Sequence, residues 1–257
     1  MAEDRMQLQR FELKYRVKEE ITALAIRDFI SSYLEVDEFG ATLPNYSYPV
    51  HSVYLDSPRL RLYWDTINGS KNRYKLRLRY YERRPEAPVY FEIKRRMNNI
   101  ISKQRGGVRR EAVDELLSGR LPEPAHLVSR DPKHLGGVQN FLRLMNTLEA
   151  RPRTHVAYWR EAWLSPHDNA VRVTLDREVR TEIEPAAWLS TQMHHPVYVF
   201  GRDIILELKF TNRFPDGFGD LVRHCGLMQC GAAKYVEGIS RLGVDQVTHG
   251  FALEATG

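Results

Sequence analysis

Strict alternation of charged and apolar residues in several short segments most constrains the fold of this chain. In the clearest case, KLRLRY (75–80), Leu76, Leu78 and Tyr80 share one parity and basic residues share the other. Successive side chains of a strand point to opposite faces, so each segment predicts a strand with one apolar and one charged face. Four further segments show the pattern: RFELKY (10–15), FEIKRR (91–96), VRVTLDRE (171–178) and ILELKF (205–210).

Positive charge is concentrated in one part of the chain. Residues 71–110 hold fourteen Lys or Arg and three carboxylates, whereas the whole chain has 38 basic and 33 acidic residues. The remainder is therefore net acidic, and the basic block predicts a polyanionic partner. Nucleic acid, a nucleotide and polyphosphate all satisfy this requirement.

Composition and missing motifs exclude several classes of protein. No apolar stretch has the length of a membrane span, and the polar N-terminus does not read as a secretory signal. Cys225 and Cys230 have neither disulfide-framework nor CxxC spacing, so we expect free thiols and a cytoplasmic protein. Neither a P-loop nor a GxGxxG, GxSxG or HxxxH motif is present, and the histidines are interpreted as structural.

The periodicity predicts an α+β protein built on one large, mostly antiparallel, barrel-like sheet. Strands are expected at residues 8–16, 50–55, 71–82, 88–96, 100–105, 153–163, 170–180, 197–200 and 203–210. Helices are expected at 18–36, 110–118, 136–149, 216–227 and 232–242, and a turn at Asn68-Gly69.

The charged faces suggest a function once they are considered together. One such face would be an ordinary solvated surface, but rows of like charge on neighbouring strands repel each other. A closed barrel would collect all of them in one lumen. Arg and Lys bind phosphate oxygens there, and a few carboxylates could hold a divalent cation that bridges phosphates. This combination indicates metal-assisted phosphoryl transfer.

The order of RFELKY, YKLRLR, FEIKRR, VRVTLD, ILELKF and AAKYVEGI (232–239) resembles the vacuolar transporter chaperone (VTC) domain over about residues 8–243. That domain belongs to the CYTH-like triphosphate tunnel metalloenzymes. The resemblance implies an eight-stranded antiparallel β-barrel, the triphosphate tunnel, with flanking helices in a single domain spanning 1–257. It also implies a polyphosphate polymerase that transfers the γ-phosphate of ATP to inorganic polyphosphate, with Mn²⁺ or Mg²⁺.

The resemblance also implies roles for individual residues. The catalytic phosphate-contacting residues are Lys14, Arg77, Arg79, Lys94, Arg172, Lys209 and Lys234. Further phosphate- or nucleotide-binding residues are Lys75, Arg96, Lys103 and Arg105. The metal ligands are Glu207 first and Glu12 second.

One departure from the superfamily pattern bears on the reaction. Tunnel hydrolases begin with ExExK, whereas this chain has Arg10-x-Glu12-x-Lys14. The missing carboxylate weakens water activation and favours polymerase over hydrolase. A triphosphatase acting on inorganic or thiamine triphosphate, and a non-catalytic polyphosphate- or RNA-binding module, remain alternatives. Nucleic acid is the less expected ligand, because the basic positions alternate with apolar ones and recur on separate strands with matched carboxylates, unlike the exposed basic and aromatic faces of nucleic-acid binders. The SPX region and membrane spans of larger VTC proteins are also not seen in this sequence.

Overall fold

The computed structural model describes residues 10–98, 100–166, 170–211, 214–215 and 217–249. Ten strands form one sheet: β1 (Arg10–Val17), β2 (Glu35–Val36), β3 (Ser47–Asp56), β4 (Asn72–Tyr80), β5 (Val89–Met97), β6 (Ile100–Val108), β7 (Arg151–Leu164), β8 (Val171–Ile183), β9 (Val197–Tyr198) and β10 (Ile204–Thr211). The α-helices are α1 (Glu20–Ser31), α2 (Arg61–Ile67), α3 (Val113–Leu117), α4 (Pro132–Leu148), α5 (Phe218–His224), α6 (Lys234–Leu242) and α7 (Val244–His249). Short 3₁₀ turns lie at Pro44–Tyr46, Arg110–Ala112 and Pro124–His126.

Every ladder of the sheet is antiparallel, as the short connections between strands predict. The eight long strands follow the order β1-β10-β8-β7-β3-β4-β5-β6, with β2 added to β7 and β9 added to β8. The five charged–apolar segments lie in β1, β4, β5, β8 and β10, so all five strand predictions are confirmed.

The expected closed barrel is wrong. Within the described residues no ladder joins the edge strands β1 and β6, because other segments occupy both edges. On β1, the Cys230 N–H donates to the Lys14 carbonyl oxygen at 2.9 Å. On β6, the Val128 N–H donates to the Gly107 carbonyl oxygen at 3.1 Å. Backbone groups already paired in this way are not available to close the sheet.

The sheet nevertheless curls strongly. Strands β1 and β5 are six positions apart in the sheet, which would separate them by about 29 Å if it were flat. Instead the Lys94 Nζ on β5 lies 2.9 Å from a carboxylate oxygen of Glu12 on β1. The face that carries both side chains is therefore concave. We call it the inner face.

Apolar side chains of the opposite parity form the convex face, which helices cover. Phe91 of β5 packs edge-to-face on Phe141 of α4, with ring centroids 5.0 Å apart. Helix α4 approaches β6 closely, because a Cβ on Gly106 would lie 2.4 Å from the His134 carbonyl oxygen. Helices α1 and α5 cover β1, β10 and β8 in the same way. Burial of this face leaves the inner face as the charged one.

Helix α6 lies across one end of the inner face. The Tyr235 hydroxyl donates to the buried Asp56 carboxylate at 2.6 Å, and this carboxylate also accepts the N–H groups of Leu62 and Tyr63 at the start of α2. The Tyr235 ring stacks on Tyr54 at a centroid distance of 4.8 Å. Asp56 thus fastens α2 and α6 to the end of β3.

Several predicted boundaries differ from the structure. The helix expected at 18–36 ends at Ser31, because Glu35 and Val36 pair with β7 as β2. Helix α4 begins at Pro132, where Asp131 accepts the Lys133 N–H at 2.9 Å and caps it. The sequence analysis missed α2 and α7. Residues 8, 9 and 216 of the predicted elements lie outside the described residues.

Candidate functional site

Charged side chains of the inner face fall into two groups, which we call walls. The mixed wall lies on β1, β7, β8, β10 and α6: Glu12, Lys14, Arg160, Asp176, Glu207, Lys209 and Lys234. The cationic wall lies on β4, β5 and β6: Arg73, Lys75, Arg77, Arg79, Glu92, Lys94, Arg96, Lys103 and Arg105. Ladder register places these positions opposite one another, as in the pairs Lys14–Glu207 and Arg77–Glu92. The structure thus brings eleven of the thirteen residues predicted for the site together on one face, while Arg96 is exposed at its edge and Arg172, opposite Lys209 in the ladder, pairs with Asp37.

Glu207 is the centre of the mixed wall. Its carboxylate contacts the Nζ atoms of Lys209, Lys234 and Lys14 at 2.6, 3.0 and 3.3 Å. Burial alone would raise the pKa of Glu207, but these three lysines hold it well below its usual range. The carboxylate is therefore ionised and keeps three ammonium groups close together.

Asp176 holds the second ion cluster of this wall. Arg160 donates two hydrogen bonds of 2.7 Å to its two oxygens, and Lys234 lies 2.6 Å from one of them. Asp176 is fully buried, and Arg160 with Lys234 keeps its pKa low against the effect of burial. Lys234 links the two carboxylates, so the first residue of α6 completes the mixed wall.

On the cationic wall, the carboxylate of Glu92 is shared among several cations. Arg77 donates to Glu92 Oε2 at 2.6 Å, and Lys103 and Arg105 lie 3.6 and 3.8 Å from Oε1. Glu92 Oε1 is buried and accepts no hydrogen bond among the described residues. One carboxylate cannot neutralise the remaining positive charge of this wall.

Four basic side chains of this wall have no carboxylate within 4.0 Å among the residues described: Arg73, Lys75, Arg79 and Arg96. Arg79 donates to the hydroxyls of Ser52 and Tyr158, at 3.3 and 3.0 Å. Lys75 lies opposite Lys94 in the β4–β5 ladder. Burial, together with Lys14 and Lys94, lowers the pKa of Lys75 to about 7. Such groups are stabilised by an added anion.

The other predicted residues take different positions. Lys94 crosses the gap between the sheet edges to Glu12, and burial lowers its pKa to about 8. Arg96 is exposed beyond the α6 end, where it donates to the Asn98 carbonyl oxygen. Arg172 instead pairs with Asp37 at 3.0 Å, at the opposite end of the inner face. Its charge is therefore already balanced.

Sequence reasoning missed Arg160. Tyr158 and Arg160 share the inward parity of β7, and Arg160 stands opposite Tyr48 in the ladder with β3. The strand was predicted, but its mostly apolar composition hid the single charged inward position. Reading parity along β7, as was done for β4, would have identified it.

The carboxylates offer an incomplete ligand set for a metal ion. Among the described parts of the chain, no three His, Cys, Asp or Glu side chains are grouped so that they could hold one. Glu12 and Glu207 flank the Lys14 Nζ at 3.2 and 3.3 Å. Mg²⁺ is commonly held by one or two carboxylates together with substrate phosphates. The pair thus fits a cation that arrives with a phosphate ligand, in competition with Lys14.

The histidines of the described ranges and both cysteines lie outside this site. His51 Nδ1 and His155 Nε2 are 3.0 Å apart in the convex core, and burial lowers the pKa of His51 to about 3. A neutral, hydrogen-bonded His51 agrees with the structural interpretation. Both cysteines are free thiols, as expected.

The fold and the site define a class of protein: a curled antiparallel sheet whose concave face is lined with cations in excess of carboxylates. The VTC domain model matches residues 9–242, so the chain belongs to the VTC domain family. Vacuolar transporter chaperone complex subunit 2 of Schizosaccharomyces pombe is 28% identical over 133 residues. This match covers 49% of the present chain and 18% of that protein, so the chain spans only a small part of its relative.

A solved structure with a related outline is a putative adenylate cyclase from Bacillus halodurans. It has a TM-score of 0.47 and 12% sequence identity, and the match covers 91% of this chain and 98% of that one. None of the described helices combines the length and apolarity that crossing a bilayer requires.

Proposed function

We propose that this protein is a phosphotransferase that moves the γ-phosphoryl group of ATP onto a growing polyphosphate chain. The observation that carries the proposal is the uncompensated charge of the cationic wall, above all Arg79, which has only hydroxyl partners within the described residues. A guanidinium that lacks a carboxylate partner and lies beside further cations suits a chain of phosphates, because guanidinium binds phosphate oxygens in pairs. Family membership is consistent with this substrate.

The reaction needs no nucleophile from the protein. The terminal oxygen of the polyphosphate attacks the γ-phosphorus in line, and the bond to the β-phosphate oxygen breaks to release ADP. Arg77, Arg79 and Lys75 would neutralise the phosphate oxygens, while Lys234 stands at the α6 end of the site. A divalent cation, Mn²⁺ or Mg²⁺, held in part by Glu207 and Glu12, would supply further charge neutralisation.

The surroundings of Glu12 favour transfer of the phosphoryl group to polyphosphate over its transfer to water. Hydrolysis needs a carboxylate free to orient and deprotonate water. The Glu12 carboxylate is held by Lys94 and Lys14, which lower its pKa against the effect of burial. A weakly basic, doubly paired carboxylate is a poor general base.

The inner face is also concave, which suits a linear polyanion better than folded RNA.

The test is a chain-synthesis assay with purified protein, ATP and Mn²⁺. Wild-type protein should release ADP and build chains visible on a gel. Arg79→Gln should lower turnover by a factor of about 100 or more, because a shorter, neutral amide cannot supply the charge. Arg84→Gln is the matched control, since Arg84 pairs with Glu82 on the exposed surface.

Three results would overturn the proposal. Orthophosphate release without chain growth would select a triphosphatase. Binding of polyphosphate without ADP release would select a binding module. Equal activity of Arg79→Gln and Arg84→Gln would show that the reaction does not take place on the inner face. The cytoplasmic location and the single-domain organisation stay predictions.

A further inference from the structure

A row of aromatic rings lines the end of the inner face opposite α6. It runs from Phe39 to Tyr48, Tyr81 and Tyr90, with successive centroid distances of 6.2, 6.2 and 6.3 Å. We call it the aromatic arc. Tyr48 lies at the start of β3 and Tyr90 at the start of β5, whereas Asp56, which holds α6, ends β3. The arc and α6 thus mark the two ends of the site.

The arc is continuous with the phosphate-binding groups. Tyr81 follows Arg79 by two residues and so continues its parity, and Tyr48 stands opposite Arg160 in the β3–β7 ladder. At the end of β4 the inner face therefore changes within two residues from the Arg79 guanidinium to the Tyr81 ring, and across the β3–β7 ladder the Tyr48 ring adjoins Arg160.

Only part of the arc is engaged in packing. The Arg105 guanidinium covers Tyr90 at 4.2 Å from the ring centroid, and Tyr48 is 8% exposed. Tyr81 is half-buried and packs against the core cluster of β3, β7 and α6, whereas Phe39 is 67% exposed. Phe39 and the uncovered part of Tyr81 are therefore the surfaces of the arc that a planar ligand could contact.

The backbone that carries Phe39 is held in place. Asp37 is 4% exposed; one of its oxygens accepts the Phe39 N–H at 3.1 Å and the other accepts a hydrogen bond from Arg172 at 3.0 Å. This ion pair ties the segment that carries Phe39 to the start of β8. Through this pair Arg172 also helps to position the arc.

We propose that the aromatic arc binds the nucleobase of the ATP substrate, with Tyr81 and Phe39 as stacking partners. The inference rests on the proposed function, because it assumes that the triphosphate lies against Arg79. A base at this end directs the triphosphate inward, so that the γ-phosphate lies nearest α6. Adenine offers a flat π-face, which aromatic side chains bind without hydrogen-bond readout.

The test compares the binding of two ligands by calorimetry: ATP and inorganic tripolyphosphate, which lacks a base. Phe39→Ala and Tyr81→Leu should each weaken ATP binding by roughly five- to a hundred-fold, the range measured for loss of one stacked base. Tripolyphosphate affinity should stay within about two-fold of the wild-type value, since neither substitution removes a cation. Tyr81→Phe, which keeps the ring, should bind ATP like wild type.

Trp188→Ala is the matched control, because Trp188 is also 67% exposed but lies outside the arc. If Phe39→Ala and Tyr81→Leu leave ATP affinity unchanged, or weaken both ligands equally, the proposal is overturned. The exposed position of Phe39 guards against misfolding as the explanation. Because the readout is binding, a wild-type protein that binds ATP but builds no chain would refute the polymerase proposal and leave this one standing.

Discussion

The two walls of the inner face solve the problem of buried charge in opposite ways. On the mixed wall, Glu12, Asp176 and Glu207 each contact at least two cations, so charges are matched before any ligand arrives. On the cationic wall, one described carboxylate, Glu92, lies among eight basic residues and contacts three of them, while Lys94 pairs with Glu12. Most charges of the mixed wall are therefore paired within the protein, whereas the cationic wall keeps an excess of positive charge until an anion binds.

This difference separates stability from function. Removing one member of a buried ion pair leaves an unpaired charge and destabilises a protein. Removing one of many mutually repelling cations lowers the repulsion among them but weakens binding of the anionic ligand. Mutations in the mixed wall should thus act mainly on folding, and mutations in the cationic wall mainly on binding.

The largest expected effect comes from breaking the mixed wall at Glu207. Glu207→Gln leaves Lys14, Lys209 and Lys234 without their shared anion, and should lower the free energy of unfolding by about 3–5 kcal/mol. Urea denaturation of the ligand-free protein measures this loss. Added tripolyphosphate should restore more stability to the variant than to wild type, because it replaces the missing charge.

The matched control for this variant is Glu82→Gln, since Glu82 pairs with Arg84 at the surface and should unfold like wild type. An unfolding free energy of Glu207→Gln equal to that of the control would show that Glu207 does not organise the lysines. A loss confined to Mn²⁺-dependent affinity would instead assign it to the metal alone.

An intermediate effect should appear in the pH dependence of the cationic wall. Burial and neighbouring cations lower the pKa of Lys75 to about 7, from an ordinary value of 10.5. Between these values the unfolded chain binds a proton that the folded protein does not, so the Lys75 contribution to unfolding free energy rises with pH. Bound phosphate should restore the proton of Lys75, so that Lys75 alone takes up as much as about one proton at pH 8.

Calorimetry of tripolyphosphate binding in buffers of different ionisation enthalpy measures this uptake. Lys75→Met should remove most of one proton, whereas uptake through Lys94 and Lys103, whose pKa values burial lowers to about 8, should persist. Identical uptake by wild type and Lys75→Met would show that Lys75 stays charged in the empty site.

The smallest effect is expected at the exposed edge of the same wall. Lys103 is half exposed and lies 3.6 Å from Glu92, so Lys103→Gln should change the unfolding free energy by less than about 1 kcal/mol. It should still make tripolyphosphate affinity less sensitive to salt, because one screened charge is lost. A large loss of stability in this variant would contradict the division between the walls.

Local alternation predicted the strands well, because the period of two is a property of each segment alone. KLRLRY places basic residues on one face and ILELKF places a glutamate and a lysine on one face, and curling of the sheet brings those faces together. Closure was not predictable, because it depends on whether distant segments cover the edges of β1 and β6. The ion pair of Arg172 was not predictable for the same reason: its partner Asp37 is 135 residues away in the chain.

The pairing of β1 with β10 has a consequence for how the chain folds during synthesis. Val17 pairs with Ile204 and Arg10 with Thr211, so the first strand must wait for roughly two hundred residues before its partner exists. Until then its apolar edge and the lysines of the mixed wall have no partners, a condition in which nascent chains mispair. Completion of the ionic framework is therefore a late event, and it coincides with docking of the C-terminal helices.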